Sequence, residues 1–342
     1  MVKTKKNISI KRNKGNNGTK KKTRKNTFLY KYQLPKTKEF IRVSNIHTVA
    51  YYTFGNKKGI PCVFIHGGPG SCIDFKLSKM FNLRKYYVIA IDQRGCGKST
   101  PHGETKENTT QHLLEDMEKI REHLNIKKWL VFGGSWGSLM AIYYAQKYTE
   151  RVLGIVVRGI FMGTKKELDL VENGNLIRYI YPDVWEKYTS ILNRKELLNP
   201  AKAYEKKLRG DQGENIRKSA AYHYSLFQEA LHKLYPLGQK ANHKAVIKDK
   251  TNLTLSHIPY HFFGNKCFLP RDGYLLETKN MNKLKNIPVE IIQGIYDMTT
   301  PAYVAHELHK KLPKSRLHMV VAGHSGSDYE TIKQTIKSLK RF

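Results

Sequence analysis

The sequence predicts an α/β protein: a mostly parallel central sheet flanked by helices and interrupted by an inserted helical segment. Three observations predict it. Between residues 40 and 160, short apolar runs alternate with longer segments whose apolar residues recur at three- and four-residue spacing. That rhythm is lost between about 163 and 282, and it returns from Val289 onward. Strands that alternate with helices are joined by crossovers, which make a parallel sheet covered on both faces.

Phe40 to Val43 and Thr48 to Phe54 read as a strand pair, and Cys62 to Ile65 as the next strand. The last stops at His66-Gly67-Gly68-Pro69-Gly70, because Gly and Pro punctuate a buried strand. Tyr86 to Ile91 is a further buried strand, ending in Asp92-Gln93-Arg94-Gly95. Leu113, Leu114, Met117, Ile120 and Leu124 share one helical face, which predicts a helix over Thr109 to His123. Trp129 to Phe132 is a strand, followed by Gly133-Gly134-Ser135-Trp136-Gly137 and a helix to about Tyr148; Val152 to Val157 is a strand again. Residues 163 to 282 are rich in helix formers and aromatics. Val289 to Ile292 and Leu317 to Val321 resume the sheet, and Tyr329 to Leu339 closes the chain as a helix. The expected organisation is a tail (1–27), a core (28–162 with 283–342) and an inserted helical cap domain (163–282).

With 342 residues, 40% of them hydrophobic, the chain has ample material for a core, which excludes a wholly disordered protein. No run reaches the roughly 18 to 20 apolar residues of a membrane span, since Arg158 interrupts the best candidate, Val152 to Met162. The Lys-rich N-terminus has no apolar stretch behind it, so no secretory signal is expected. Cys62, Cys72, Cys96 and Cys267 form no CxxC or CxxH pair, which argues against a disulfide framework or a zinc site. A cytoplasmic protein with free thiols is the expectation, with a nuclear destination as the alternative that a basic tail allows. The net charge is +33, and residues 1–38 hold 14 Lys/Arg and no acid. Residues 1–27 are too poor in apolar side chains to offset the entropy of ordering and are expected to be disordered. Two readings of this tail stay open: contact with nucleic acid or another polyanion, or a solubilising segment.

Gly133-x-Ser135-x-Gly137 joins a predicted strand to a predicted helix, the context of a nucleophile elbow in the α/β-hydrolase fold. Small residues are needed because the turn is tight and must lift the Ser hydroxyl above the sheet. Serine is a weak nucleophile until a base takes its proton and an acid orients that base. In this fold the acid and then the base follow the nucleophile along the chain. Asp297 and His324 stand in that order, each after a late predicted strand. The His66 to Gly70 loop lies where the second oxyanion donor belongs, so the N–H groups of Trp136 and Gly68 are the expected pair, with Gly67 the neighbouring alternative.

The segments HGGPG (66–70), DQRGCGKSTPH (92–102), GGSWGS (133–138), YAQKYTERV (144–152), RGIF (158–161), YPDVWE (181–186) and AGHS (322–325) together resemble the proline iminopeptidases. The likeness runs over about residues 28–342. It implies a helical cap, release of N-terminal residues from peptides with proline preferred, and no metal or organic cofactor. It also implies Ser135 as nucleophile, Asp297 as acid and His324 as base. Members carry two cap glutamates that hold the substrate's free amino group, but Gln228 and Pro259 stand at the matching positions here. Glu229, Glu172 and Asp272 are the alternative carboxylates, while Tyr224 and Phe227 are candidate walls for a pyrrolidine ring. If no carboxylate serves, an esterase or amidase acting on small acyl compounds becomes the competing reading. A nucleic-acid-associated or scaffold protein acting through its tail is a third.

Overall fold

The computed structural model describes residues 28–232, 234 and 256–342; the predicted tail, residues 1–27, lies outside the described residues. Eight strands form one sheet: β1 (Thr37–Arg42), β2 (Thr48–Gly55), β3 (Ile60–Ile65), β4 (Tyr86–Ile91), β5 (Trp129–Ser135), β6 (Val152–Ile160), β7 (Val289–Gly294) and β8 (Ser315–Val320). Their spatial order is β1-β2-β4-β3-β5-β6-β7-β8. β2 runs antiparallel to β1 and β4, and every other pair is parallel. The sheet therefore matches the expected class.

Side chains alternate across the sheet. Val63, Ile89, Val131, Val157 and Ile291 point to one face, where helices α1 (Thr110–His123) and α2 (Trp136–Lys147) pack. Cys62, Val88, Leu130, Phe132 and Val156 point to the other, against Phe81 and Leu339. Because both faces are covered, β4 and β5 are buried along their whole length, which is why Tyr86 to Ile91 and Trp129 to Phe132 read as unbroken apolar runs. Helix α2 is buried from Trp136 to Gln146, so it shows no polar stripe.

Between β6 and β7, among the described residues, the chain forms helices and no strand. These are α3 (Lys165–Val171), α4 (Ile177–Ile180), α5 (Pro182–Thr189), α6 (Pro200–Arg209), α7 (Glu214–His232), α8 (His257–Gly264) and α9 (Thr278–Asn282). Tyr188 on α5 stacks on Tyr204 of α6 at 4.2 Å and on Phe227 of α7 at 4.1 Å, giving this segment an aromatic core of its own. α10 (Tyr303–Lys311) and α11 (Tyr329–Leu339) complete the chain.

The structure departs from the sequence expectation at a few places. β5 and β6 extend to Ser135 and Ile160, since Gly133 and Gly134 keep pairing with Val157 and Arg158 although they read as a turn. The last strand begins at Ser315. Helix α10 has no counterpart in the sequence expectation, because its apolar face is only Val304, Ala305 and Leu308.

Candidate active site

Ser135 ends β5 and caps α2 with φ 57° and ψ −127°, a backbone conformation that L-residues rarely adopt and that costs about 1–3 kcal/mol. The flanking glycines make it feasible. A Cβ on Gly133 would lie 2.0 Å from the Gly137 carbonyl oxygen, and one on Gly137 would lie 2.4 Å from that of Ile65. No side chain fits at either place, so strand and helix approach closely only with glycine there.

Asp297 and His324 lie beyond the ends of β7 and β8 and meet there. His324 Nδ1 is 2.8 Å from Asp297 Oδ2 and 3.0 Å from Oδ1, and both residues are buried. The Asp297 carboxylate also accepts the N–H groups of Thr299 and Thr300, the Thr300 hydroxyl and the Gln293 amide. Burial alone would raise its pKa, but His324 and the hydrogen bonds around it hold the carboxyl below its ordinary value. It is therefore ionised, and its lone pairs fix the ring of His324 with Nδ1–H toward the acid. Arg158 on β6 supports the same loop by donating to the His324 carbonyl oxygen at 3.1 Å.

The glycine loop after β3 comes over Ser135 from the other side. A Cβ on Gly67 would sit 3.3 Å from Ser135 Cβ and 3.9 Å from its Oγ, so a side chain there would intrude on the hydroxyl. Gln93 holds the loop. Its N–H donates to His66 Nε2 at 3.1 Å, its amide to the His66 carbonyl oxygen at 3.0 Å, and its own oxygen accepts the Trp136 indole N–H at 2.8 Å. Burial lowers the pKa of His66, which keeps the ring neutral and leaves Nδ1–H to donate to Gly67 O at 2.8 Å. One glutamine thus links the loop carrying Gly68 to the helix start carrying Trp136.

Ser135 opens into a cavity of about 310 Å³ lined by Gly68, Tyr224, Gln228, Glu229, His232 and Thr299 among others. A recess of about 40 Å³ continues inward past Ser135, Trp136 and Gln228 to Glu172. The predicted residues therefore fall into two groups. Ser135, Trp136, Gly68, Tyr224, Gln228 and Glu229 share this space, while Asp297 and His324 form their pair behind it. Phe227 is the exception: it is buried against Tyr188 and Trp185 in the helical core and is absent from both linings, because one residue along a helix turns a side chain by about 100°. Pro259 lines the larger cavity and supplies no charge. Asp272 is held by the backbone N–H of Lys165 at 2.8 Å and lies outside both linings.

Two residues at this site escape a reading of the sequence. Thr300 donates to Asp297, a role that the Asp-x-Thr-Thr spacing after the strand could have signalled. His232, at the end of α7, puts its ring 5.0 Å from that of His324, centre to centre, and nothing in the sequence marks it. Burial, with the nearby His324 adding to the effect, lowers the pKa of His232 to about 4, so it faces the cavity as a neutral ring.

Comparison with known proteins bears on this geometry. Residues 60–331 match the model of the alpha/beta hydrolase fold. The chain is 40% identical to a proline iminopeptidase of Arabidopsis thaliana, over 84% of this chain and 75% of that one. It is 36% identical to a proline iminopeptidase of Neisseria gonorrhoeae, over 88% and 94% of the two chains. The chain belongs to the proline iminopeptidase family. A probable proline iminopeptidase of Leptolyngbya boryana extends the match to 92% of this chain and 96% of that one, at 38% identity. Among solved structures, a Rhodococcus esterase aligns with a TM-score of 0.59 at 20% identity over 89% of this chain and 98% of that one, a likeness of fold. The proline iminopeptidase relationship and the fold together identify a serine aminopeptidase of the α/β-hydrolase type. Among the described residues no helix is long and apolar enough to cross a membrane.

Proposed function

We propose that this member of the family releases N-terminal residues, proline by preference, from short peptides, with Ser135, His324 and Asp297 as its catalytic triad. The observation that carries the assignment of the triad is the His324 to Asp297 pair, buried at 2.8 Å beyond the strand ends, with Ser135 raised on its strained turn at the same end of the sheet. His324 takes the proton of Ser135 as its oxygen attacks the scissile carbonyl. The N–H groups of Trp136 and Gly68 receive the oxyanion, and Gln93 keeps them in register. His324 then protonates the leaving amine, and water repeats the cycle on the acyl-enzyme. Residues 163–282 act in this reading as a cap that closes over the N-terminal residue.

The test compares L-proline p-nitroanilide with its N-acetyl analogue and with p-nitrophenyl acetate. Strong preference for the free amine is expected. Turnover of the ester with indifference to N-acetylation would replace the aminopeptidase assignment with an esterase or amidase one.

The charge of residues 1–38 favours a second, separable property: contact of the tail with nucleic acid or another polyanion, and with it a nuclear destination. Binding of RNA or DNA that weakens steeply with salt and disappears on deleting residues 1–27 is the expected result. Binding that survives the deletion would remove the tail from the account.

A further inference from the structure

Glu172 stands one residue past α3 and lines the recess that begins at Ser135; it also borders a second cavity of about 390 Å³, together with Lys165, Lys202 and Tyr260. It is 4% exposed. Tyr260 donates its hydroxyl to the carboxylate at 2.9 Å, Gln228 its amide at 3.2 Å and Tyr188 its hydroxyl at 3.5 Å. All three donors are neutral. Among the described residues, no Lys or Arg is paired with it. A buried carboxylate without a cation is a liability for folding, and neutral donors repay only part of its lost hydration.

The recess shows where such a cation would come from. At about 40 Å³ it is small beside the cavity of about 310 Å³, with which it shares Gly68, Ser135, Tyr224, Gln228 and Thr299, so the two spaces meet at the nucleophile. A chain cleaved at Ser135 thus has the larger cavity for the leaving peptide, with Glu172 beside the smaller space on the other side of the nucleophile. We propose that Glu172 binds the ammonium of the substrate's N-terminal residue and is the residue that makes this site an aminopeptidase site. This inference rests on the aminopeptidase reading and names the residue that enforces it.

The other carboxylates are less suited. Glu167 also borders the recess and, like Glu172, accepts three donors, but two of its three are backbone N–H groups, of Met162 and Thr164, and with the Thr164 hydroxyl they commit it to the capping box that starts α3, whereas the donors to Glu172 are all side chains. Glu229 lines the outer cavity and not the recess. Gln228, where a charge is missing from the sequence, instead orients the charge that Glu172 supplies.

The sign of the pH effect follows. Burial raises the carboxyl of Glu172 to about 7, with the bonds from Tyr260, Tyr188 and Gln228 opposing. Tyr188, Tyr204, Tyr224 and Tyr260 surround it from α5, α6, α7 and α8 and stay neutral, their pKa values raised by burial. Below about pH 7 Glu172 is neutral and the attraction is lost; above about 8 the substrate's own α-amine loses its proton. Preference for the free amine is therefore greatest between these limits. Glu167 is also raised to about 7 by burial, so the assignment needs a variant as well as a profile.

The experiment measures kcat/KM for L-proline p-nitroanilide and its N-acetyl analogue from about pH 5.5 to 9, in the wild type, Glu172→Gln and Glu229→Gln. In Glu172→Gln, the ratio of the two substrates is expected to fall about 10- to 100-fold, the effect of losing a charged hydrogen bond, chiefly through KM. Its dependence on pH near 7 should vanish. Reaction of Ser135 with a fluorophosphonate shows that the variant is folded. If that variant does not fold, Glu172→Asp, which keeps the charge and shortens its reach, takes its place and must also lower the ratio; a wild-type free-amine preference that is flat from about pH 5.5 to 8 contradicts the proposal in either case. A ratio unchanged in Glu172→Gln, or lost in Glu229→Gln instead, overturns it. A wild type indifferent to N-acetylation overturns the aminopeptidase reading itself.

Discussion

Replacing Ser135 by alanine is expected to lower kcat for L-proline p-nitroanilide by about 10⁵- to 10⁶-fold, with the fold and Tm nearly unchanged. The proposed nucleophile leaves, and no other hydroxyl stands on the turn between β5 and α2 to replace it. In the proposed mechanism, what survives is the background supplied by the Trp136 and Gly68 N–H groups and by substrate binding. Stability is spared because the change removes one oxygen while the backbone at φ 57° is held by the strand pairing before it and the helix after it. Stopped assays on the purified variant, with circular dichroism to confirm folding, check the prediction. Residual activity above about 1% would place the nucleophile elsewhere.

Asp297→Asn should lower kcat by about 10⁴-fold through the wrong tautomer of His324. The carboxylate accepts the backbone N–H groups of Thr299 and Thr300 on Oδ1, and the Gln293 amide and the Thr300 hydroxyl on Oδ2, with His324 Nδ1 within reach of both oxygens. An asparagine retains one acceptor. If its oxygen serves the two backbone N–H groups, its NH₂ faces both His324 Nδ1 and the Gln293 amide, and His324 must carry its proton on Nε2, where it cannot take one from Ser135. Asp297 also contributes stability. Its folded pKa lies below the unfolded value, so that contribution is complete at neutral pH and is lost as pH falls through the folded value. The Asp297→Asn change should therefore flatten the acid limb of a Tm-against-pH curve, and an unchanged kcat would remove Asp297 from the reaction.

Much of the architecture is legible in the sequence because a sheet covered on both faces demands apolar residues at every position. Tyr86 to Ile91 is such a run, and all six residues are buried. The elbow is legible for a related reason: Gly133 and Gly137 meet backbone oxygens at distances that exclude any other residue. Where local pattern and tertiary pairing disagree, the reading stops short. Gly133-Gly134 reads as a turn, yet its neighbours on β6 hold it in the sheet. Helix α10 carries too narrow an apolar face to stand out.

The lining proposed to recognise substrate is the least legible part. Glu172 and Gln228 are 56 residues apart and meet only after α5, α6 and α7 have folded on each other. Phe227 and Gln228 are neighbours in sequence, but one faces the aromatic core and the other lines the recess with Ser135. Which side chain of a helix looks inward depends on what packs beside it, and periodicity alone leaves Gln228, Glu229 and Phe227 equivalent.

The most direct test of the central claim is to react the enzyme with a fluorophosphonate, digest it and locate the adduct by mass spectrometry, with L-prolinamide as competitor. A single adduct on Ser135, formed more slowly when L-prolinamide is present and absent from Asp297→Asn on the same timescale, is the predicted result. An adduct on another residue, or none under conditions where the enzyme turns over substrate, would contradict it.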